Sequence, residues 1–364
     1  MPVSDIFFME KALDLARKAR GKTSPNPMVG CVIVKGNKII ASGFHQKRGL
    51  PHAEAIALKK AGEKARGAKL YVNLEPCFHF GNTPPCVDAI IKSGIKEVII
   101  AAKDPNRLTD GKSIAKLKKS GIKVKMGVLN AHSRALNESF MKYINTKMPF
   151  VATKTAQTID GKIAARNGNS KWITDKNTRE FARGIRDEFD AILAGINTVL
   201  KDDPCLCAKS KNIKKIIVDS RLRISPKARL FEKSLPEEVY LAVTENAPQK
   251  RVQLFRDKGC HVIIAPEKEG RVDLKWLFKT LAREEITSIL IEGGSTVIGQ
   301  ALKKGLVDKM YFYIAPKVAG DKSALSSING LALNRMDDTI NLSEMEARKI
   351  GKDILITAYV LRNS

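Results

Sequence analysis

Apolar positions recur with two different periods along this 364-residue chain. Met9, Ala12, Leu13 and Ala16 repeat at helical spacing and predict an amphipathic first helix. VGCVIV (29–34) and KIIASG (38–43), joined by KGN, read as a β-hairpin. A helix is predicted from His52, then a strand at KLYVNL (69–74), then a helix from near Cys86 to Gly94. EVIIAA (97–102) and IKVKMGVL (122–129) read as further strands with a helix between them. The pattern restarts at NTKMPF (145–150). PFVATKTA (149–156) reads as a strand and residues 175–189 as a helix capped by Thr174. KKIIVDS, EVYLAV, CHVIIA and SILIEGG follow as strands with helices interspersed, and MYFYIAP and DILITAYVL finish the chain. The expectation is an α/β protein of two domains, 1–147 and 148–364, each long enough for its own core.

Composition narrows the class. The chain is 43% hydrophobic and 28% charged, so a packed core is feasible. No apolar run approaches the roughly 18–20 residues of a membrane span. Asp5, Glu10 and Asp14 break up the N-terminal stretch, which reads as a helix and not as a targeting signal. Six cysteines in a chain of this length do not make a disulfide framework, and a reducing cytoplasm is expected. The formal net charge of +26 invites a nucleic-acid reading. The excess is dispersed, however, with +16 in residues 1–147 and +10 in the remainder. Only 6% of residues are aromatic, and no base-stacking platform is evident. The expectation is a solvated lysine-rich surface that attracts anionic small molecules, with no nucleic acid and no membrane as partners.

The chemistry concentrates in two stretches. PHAEAIALKK (51–60) supplies His52 and Glu54, and EPCFHFGNTPPC (75–86) supplies Cys77 and Cys86. One imidazole and two thiols are three zinc ligands, and three protein ligands with an open fourth position mark a catalytic site. Pro51 and Pro85 stand where helices would begin. His52 and Cys86 then fall at helix N-termini, where the dipole favours a thiolate. Glu54 is free to carry a proton from water to a leaving amine. His-x-Glu followed by Pro-Cys-x-x-Cys is the zinc deaminase signature, although here eight residues separate the cysteines. A structural zinc site is the competing reading.

PCFHFGNTPPC, with SPNPMVGCVIV (24–34), GFHQKRGLPHAE (43–54) and DPN (104–106), closely resembles the deaminase half of the RibD family of bifunctional riboflavin biosynthesis enzymes. TKTAQTIDGKIA (153–164), SKWIT (170–174), INTVLKDDPCL (196–206), VDS (218–220) and IEGGSTVIG (291–299) resemble its reductase half. The resemblance implies a cytidine-deaminase-like three-layer domain followed by a dihydrofolate-reductase-like α/β domain that uses NADPH. It implies zinc-dependent deamination of 2,5-diamino-6-ribosylamino-4(3H)-pyrimidinone 5′-phosphate, then reduction of the ribosyl side chain to ribityl. It places Asn26, His45, His79 and Asn106 around the deaminase substrate. It assigns Ala156, Trp172, Thr198, Asp202, Ser220 and the run Gly294, Ser295, Thr296, Val297, Ile298, Gly299 and Gln300 to NADP. Ser170, Arg186, Leu206, Lys209 and Glu292 are assigned to the reductase substrate, and Lys154 to orienting or protonating the opened sugar. Two positions depart from the family pattern. Asn82 stands for a usual Lys or Arg at a phosphate contact, with Lys47 and Arg48 as the cations that could compensate. Lys209 stands for a usual Arg and can hold phosphate only as a point charge. A homo-oligomer is expected.

Read physically, SILIEGGSTVIGQAL is a strand, a Gly-Gly turn and a helix, an arrangement that can hold phosphate on backbone amides. It lacks the Gly-x-Gly-x-x-Gly fingerprint, so the pattern alone leaves a purely structural turn open. Cys205 and Cys207 have the wrong spacing for a zinc knuckle, Cys31 reads as core, and His132 and His261 lack partner motifs. The alternative functional reading is a tRNA or nucleotide deaminase with an appended nucleotide-binding domain.

Overall fold

The computed structural model of the protein describes residues 4–80 and 84–361. The chain divides into two compact units, Met1–Lys147 and Met148–Ser364.

The first unit comprises α1 (Asp5–Arg17), β1 (Gly30–Lys35), β2 (Lys38–Phe44), α2 (Ala53–Ala61), β3 (Lys69–Leu74), α3 (Cys86–Lys92), β4 (Glu97–Ala102), α4 (Lys112–Lys119), β5 (Lys123–Met126), α5 (Asn130–Leu136) and α6 (Glu138–Thr146). Its sheet runs β2-β1-β3-β4-β5. β1 is antiparallel to both β2 and β3, while β3, β4 and β5 are parallel. β2, β3 and β4 therefore leave the sheet at the same end. Side chains alternate between the two faces, as strand geometry requires. Val32, Val34, Tyr71 and Ile99 pack under Phe8, Met9, Ala12 and Leu13 of α1. Cys31, Ile33, Leu70, Val72, Val98 and Ile100 pack on the other face under α2, α3 and α4. Helices on both faces make three layers, and Cys31 is core. Sequence patterning carried the expected strand at 122–129 too far, because it stops at Met126, and it left α5 and α6 unassigned.

The second unit comprises β6 (Phe150–Thr158), β7 (Lys162–Ala164), α7 (Lys176–Ile185), β8 (Ala191–Gly195), α8 (Ile196–Asp202), β9 (Lys214–Val218), α9 (Arg229–Glu232), β10 (Val239–Val243), α10 (Gln249–Asp257), β11 (His261–Ile264), β12 (Glu267–Lys268), β13 (Arg271–Val272), α11 (Leu274–Arg283), β14 (Ser288–Ile291), α12 (Ser295–Lys303), β15 (Lys309–Ala315), β16 (Leu325–Ser326), β17 (Leu342–Ile350) and β18 (Asp353–Val360). Its main sheet runs β11-β10-β9-β8-β14-β6-β15-β18-β17. The strands from β11 to β15 are parallel, and β18 and β17 add an antiparallel edge. The cap of α7 is Asp175, not the expected Thr174: its carboxylate accepts the Thr178 N–H at 2.7 Å. That helix also ends at Ile185, before a single tight turn at Arg186–Glu188.

Gly43 decides how close α2 comes to β2. A Cβ there would lie 2.8 Å from Ile56 Cβ and 2.9 Å from Ala57 N, and would run into the Ala53 carbonyl. Because α2 starts at His52 and carries Glu54, this approach places both side chains. Gly43→Ala should destabilise the first unit by about 1–3 kcal/mol, the usual cost of overpacking. Urea unfolding should report a lower midpoint at unchanged slope; an unaltered midpoint would show that α2 can shift freely.

Candidate metal centre and candidate nucleotide cleft

In the first unit, β2 delivers His45, β3 delivers Glu75 and Cys77, and β4 delivers Asp104 and Asn106, all at one end of the sheet. His52 is the N-cap of α2, and Cys86 is the first residue of α3 behind Pro85. Two helix N-termini thus face the loop that carries Cys77. His52 Nδ1 lies 3.3 Å from Cys86 Sγ and 3.5 Å from Cys77 Sγ. The Cys86 N–H donates to Cys77 Sγ at 3.2 Å. Among the described residues, these three form the one group of three or more His, Cys, Asp or Glu donors close enough to share a metal, all within 4.8 Å of one another. Tetrahedral zinc with bonds of about 2.0–2.3 Å separates a nitrogen and a sulfur ligand by about 3.6 Å. The donor set fits zinc in both chemistry and spacing.

The electrostatics suit the same ion. The Cys77 thiol is held down at about 4, chiefly by the Cys86 thiol against the opposing effect of burial, with further help from His52. The Cys86 thiol is pushed well up by its bond to Cys77 and by burial. Glu54 is 3% exposed, and burial together with the Cys77 charge raises its carboxyl to about 7. A glutamate near 7 can both accept and release a proton at neutral pH.

Of the expected substrate residues, His45 packs directly against this group and Asn26 reaches it through His45. The buried His45 ring meets the His52 ring edge-on at 5.3 Å. Its Nε2 lies 3.4 Å from Asn26 Nδ2 and its Nδ1 lies 3.3 Å from the Pro51 carbonyl. His79 Nδ1 lies 3.5 Å from Thr109 Oγ1. Asn106 shapes the loop that holds Thr109, accepting the Leu108 N–H on its side chain and the Thr109 N–H on its carbonyl. Asn82 lies outside the described residues, and Lys47 and Arg48 sit in the exposed loop before α2. Sequence reasoning missed Glu75. This buried carboxylate accepts the N–H groups of Asp104, Gly111 and Ile114 and so ties down the loop bearing Asn106 and Thr109. An acid directly ahead of Pro76-Cys77 was its only sequence signal.

In the second unit, a cleft of about 1490 Å³ opens at the carboxyl ends of β6, β14, β8 and β9, where open α/β sheets bind ligands. It is lined by Lys154, Ala156, Ser170, Trp172, Arg186, Thr198, Asp202, Leu206, Lys209, Ser220 and Glu292, together with Gly294, Ser295, Thr296, Val297, Ile298 and Gln300. Gly299 is the exception. It is not among the lining residues and is packed so tightly on the Asn329 carbonyl that no Cβ would fit.

Gly293 and Gly294 have φ of 109° and 85° and turn the chain from β14 into α12. A Cβ on Gly293 would lie 2.8 Å from Thr198 Cγ2, and one on Gly294 would lie 3.4 Å from Gly195 N. The amides at the start of α12 can therefore approach a diphosphate closely. On the far side of the turn, Arg186 donates to both oxygens of Glu292, at 2.7 and 2.8 Å, and to the Cys207 carbonyl at 2.7 Å. Lys154 Nζ lies 3.9 Å from Glu292. Burial pushes the Glu292 carboxyl up, but the Arg186 and Lys154 charges outweigh it and hold the group at about 2. Burial lowers the Lys154 ammonium, partly offset by Glu292. Ser170 Oγ donates to Asp202 at 3.4 Å, and the Arg179 guanidinium lies 4.2 Å from the Trp172 ring centre. Lys209 is placed by its N–H, which donates to Asp187 at 3.1 Å. Cys205 and Cys207 line the cleft without forming part of a three-donor metal group among the described residues. No helix among the described residues is long and apolar enough to cross a membrane.

Residues 2–102 match the family described as the cytidine and deoxycytidylate deaminase zinc-binding region. Residues 149–356 match the RibD C-terminal domain. The riboflavin biosynthesis protein RibD of Aquifex aeolicus is 42% identical over 353 residues, covering 96% of each chain. Among solved structures, form 1 of Acinetobacter baumannii RibD superposes with a TM-score of 0.87 at 36% identity, covering 98% of this chain and 99% of that one. A Thermotoga maritima protein described as a diaminohydroxyphosphoribosylaminopyrimidine deaminase/5-amino-6-(5-phosphoribosylamino)uracil reductase gives 0.83 at 35% identity, covering 98% of both chains. The mixed α/β fold class expected from the sequence is the one found, with a cytidine-deaminase-like domain first and a reductase domain second. The chain belongs to the RibD family of riboflavin biosynthesis proteins.

Proposed function

We propose that the chain is a bifunctional enzyme with its chemistries divided at residues 147/148. The first domain hydrolyses the 2-amino group from 2,5-diamino-6-ribosylamino-4(3H)-pyrimidinone 5′-phosphate, and the second reduces the ribosyl side chain of the product to ribityl with NADPH. The observation that carries this reading is the convergence of His52, Cys77 and Cys86 beside the buried Glu54.

His52, Cys77 and Cys86 would hold zinc, which when bound supplies the Lewis acidity that makes water a nucleophile near pH 7. Glu54 takes a proton from the attacking water and passes it to the departing amino nitrogen, so that the amine is replaced by oxygen and ammonia leaves. Asn26 and His45 hold the pyrimidine beside this group, and His79 and Asn106 close the loop side. In the second domain the Gly293-Gly294 turn and the start of α12 hold the cofactor diphosphate, and NADPH supplies the reducing equivalents. Glu292 and Arg186 fix each other and, through Glu292, the Lys154 ammonium, which orients the opened sugar and provides a proton to it. The dispersed positive charge favours capture of phosphorylated small molecules.

Mass spectrometry of purified protein incubated with the diaminopyrimidine phosphate tests the whole reading. Without NADPH the amine should be exchanged for oxygen; with NADPH two hydrogens should be added as well. No mass change under either condition would end the proposal. Glu54→Gln should retain zinc but lower ammonia release by ~10²–10⁴-fold, and near-normal release would remove Glu54 from the proton path. Gly294→Val should weaken NADPH binding in calorimetry while sparing zinc content and deamination, since a branched side chain is strained at positive φ. A chelator should stop ammonia release but leave NADPH oxidation intact when the deaminated ribosylaminouracil phosphate is supplied directly. Loss of both activities from stripped protein whose circular dichroism is unchanged would refute the division of labour.

A further inference from the structure

The cleft of the second domain has a positively charged end that the reaction chemistry does not use. β14, β8 and β9 are neighbouring parallel strands, with Ile291 paired to Leu193 and Gly195 paired to Val218. The Gly293-Gly294 turn, Gly195 and the segment after Val218 thus leave the sheet at one level. With strands 4.7–4.9 Å apart, the end of β9 lies roughly 10 Å across from the diphosphate turn. Ser220, Arg221, Arg223, Gly270 and Arg271 line the cleft there.

Two of these arginines are uncommitted. Arg223 donates to Asn197 Oδ1 at 2.6 Å and faces Asp219 at 4.0 Å. Arg221 and Arg271 are exposed and have no carboxylate or hydrogen-bond partner for their side chains among the described residues. The β12–β13 hairpin that carries Arg271 is brought to the end of β9 by the Val272 N–H, which donates to Ser220 Oγ at 3.3 Å. Asp219 also lines the cleft but is fully buried: one oxygen accepts the Ile224 N–H at 2.8 Å, and the other, without a hydrogen-bond partner among the described residues, faces the Arg223 guanidinium at 4.0 Å. A ribose with a free 2′-hydroxyl is read by an available carboxylate, whereas a 2′-phosphate is read by arginine. Guanidinium forks match phosphate oxygens two at a time.

We propose that Arg221 and Arg271 form the subsite for the 2′-phosphate of the dinucleotide and select NADPH over NADH. This rests on the reading of the cleft as a nicotinamide cofactor site.

Isothermal titration of NADP⁺ and NAD⁺ into the full-length protein, Arg221→Ala, Arg271→Ala and the double variant provides the test. The unaltered protein should prefer NADP⁺. Each substitution should weaken NADP⁺ binding by about 10- to 100-fold, the range for a charge-assisted contact, and leave NAD⁺ within about twofold. Both side chains are exposed, so folding should persist. Equal losses for the two dinucleotides, or no loss for either, would overturn the assignment. So would an unaltered protein that binds NAD⁺ as tightly as NADP⁺, although the cofactor reading would then survive. If the unaltered protein binds neither dinucleotide, the cofactor reading itself fails, and this inference falls with it.

Discussion

Both domains depend on helix N-termini reaching the carboxyl end of a sheet at close range. A helix start offers N–H groups and a positive dipole end, and that is useful only where the backbone can come close. In the first domain, Gly43 admits α2 onto β2 and so sets His52 against the Cys77 loop, while Pro85 starts α3 at Cys86. In the second, Gly293 and Gly294 turn β14 directly into α12, against Thr198 and Gly195. A side chain at Gly43 would press α2 away from β2, one at Gly293 would crowd Thr198, and at both Gly293 and Gly294 the positive φ disfavours any other residue. Both sites are thus set by backbone packing before any functional side chain is considered.

That constraint explains which parts of the protein were legible in the sequence. The metal donors were readable because ligand chemistry demands particular residue types, and Pro51 and Pro85 announced the helix starts. The two-glycine turn was readable because positive φ selects glycine. AILAG at β8 was not recognised as a strand, although it is fully buried and lies inside the sheet. It is short, rich in alanine and directly follows a helical pattern, so neither periodicity nor β-propensity distinguishes it. β17 was missed for the opposite reason: LSEMEARKI is an exposed edge strand whose apolar residues do not alternate regularly with polar ones, and its identity comes from pairing with β18. Glu75 was invisible because its role is to accept three backbone N–H groups from a loop about 30 to 40 residues away. At Gly299 the packing was not readable from the run it belongs to, because the close approach is made by the Asn329 carbonyl, 30 residues away.

The two buried glutamates show how location sets chemistry. Glu54 and Glu292 are the same residue type, each at most 9% exposed. Burial pushes both carboxyls upward, because desolvation disfavours the charged form. At Glu54 the neighbouring Cys77 charge adds to that effect and His52 only partly opposes it, so the group rises to about 7. At Glu292 a bidentate arginine and a lysine outweigh burial, and the group falls to about 2. A carboxyl near 7 exchanges protons at neutral pH, as hydrolytic deamination requires. One near 2 stays ionised and anchors cations in place. Glu54 is therefore suited to move a proton and Glu292 to hold Arg186 and Lys154 where a sugar could meet them, a separation of roles produced by neighbours and not by residue type.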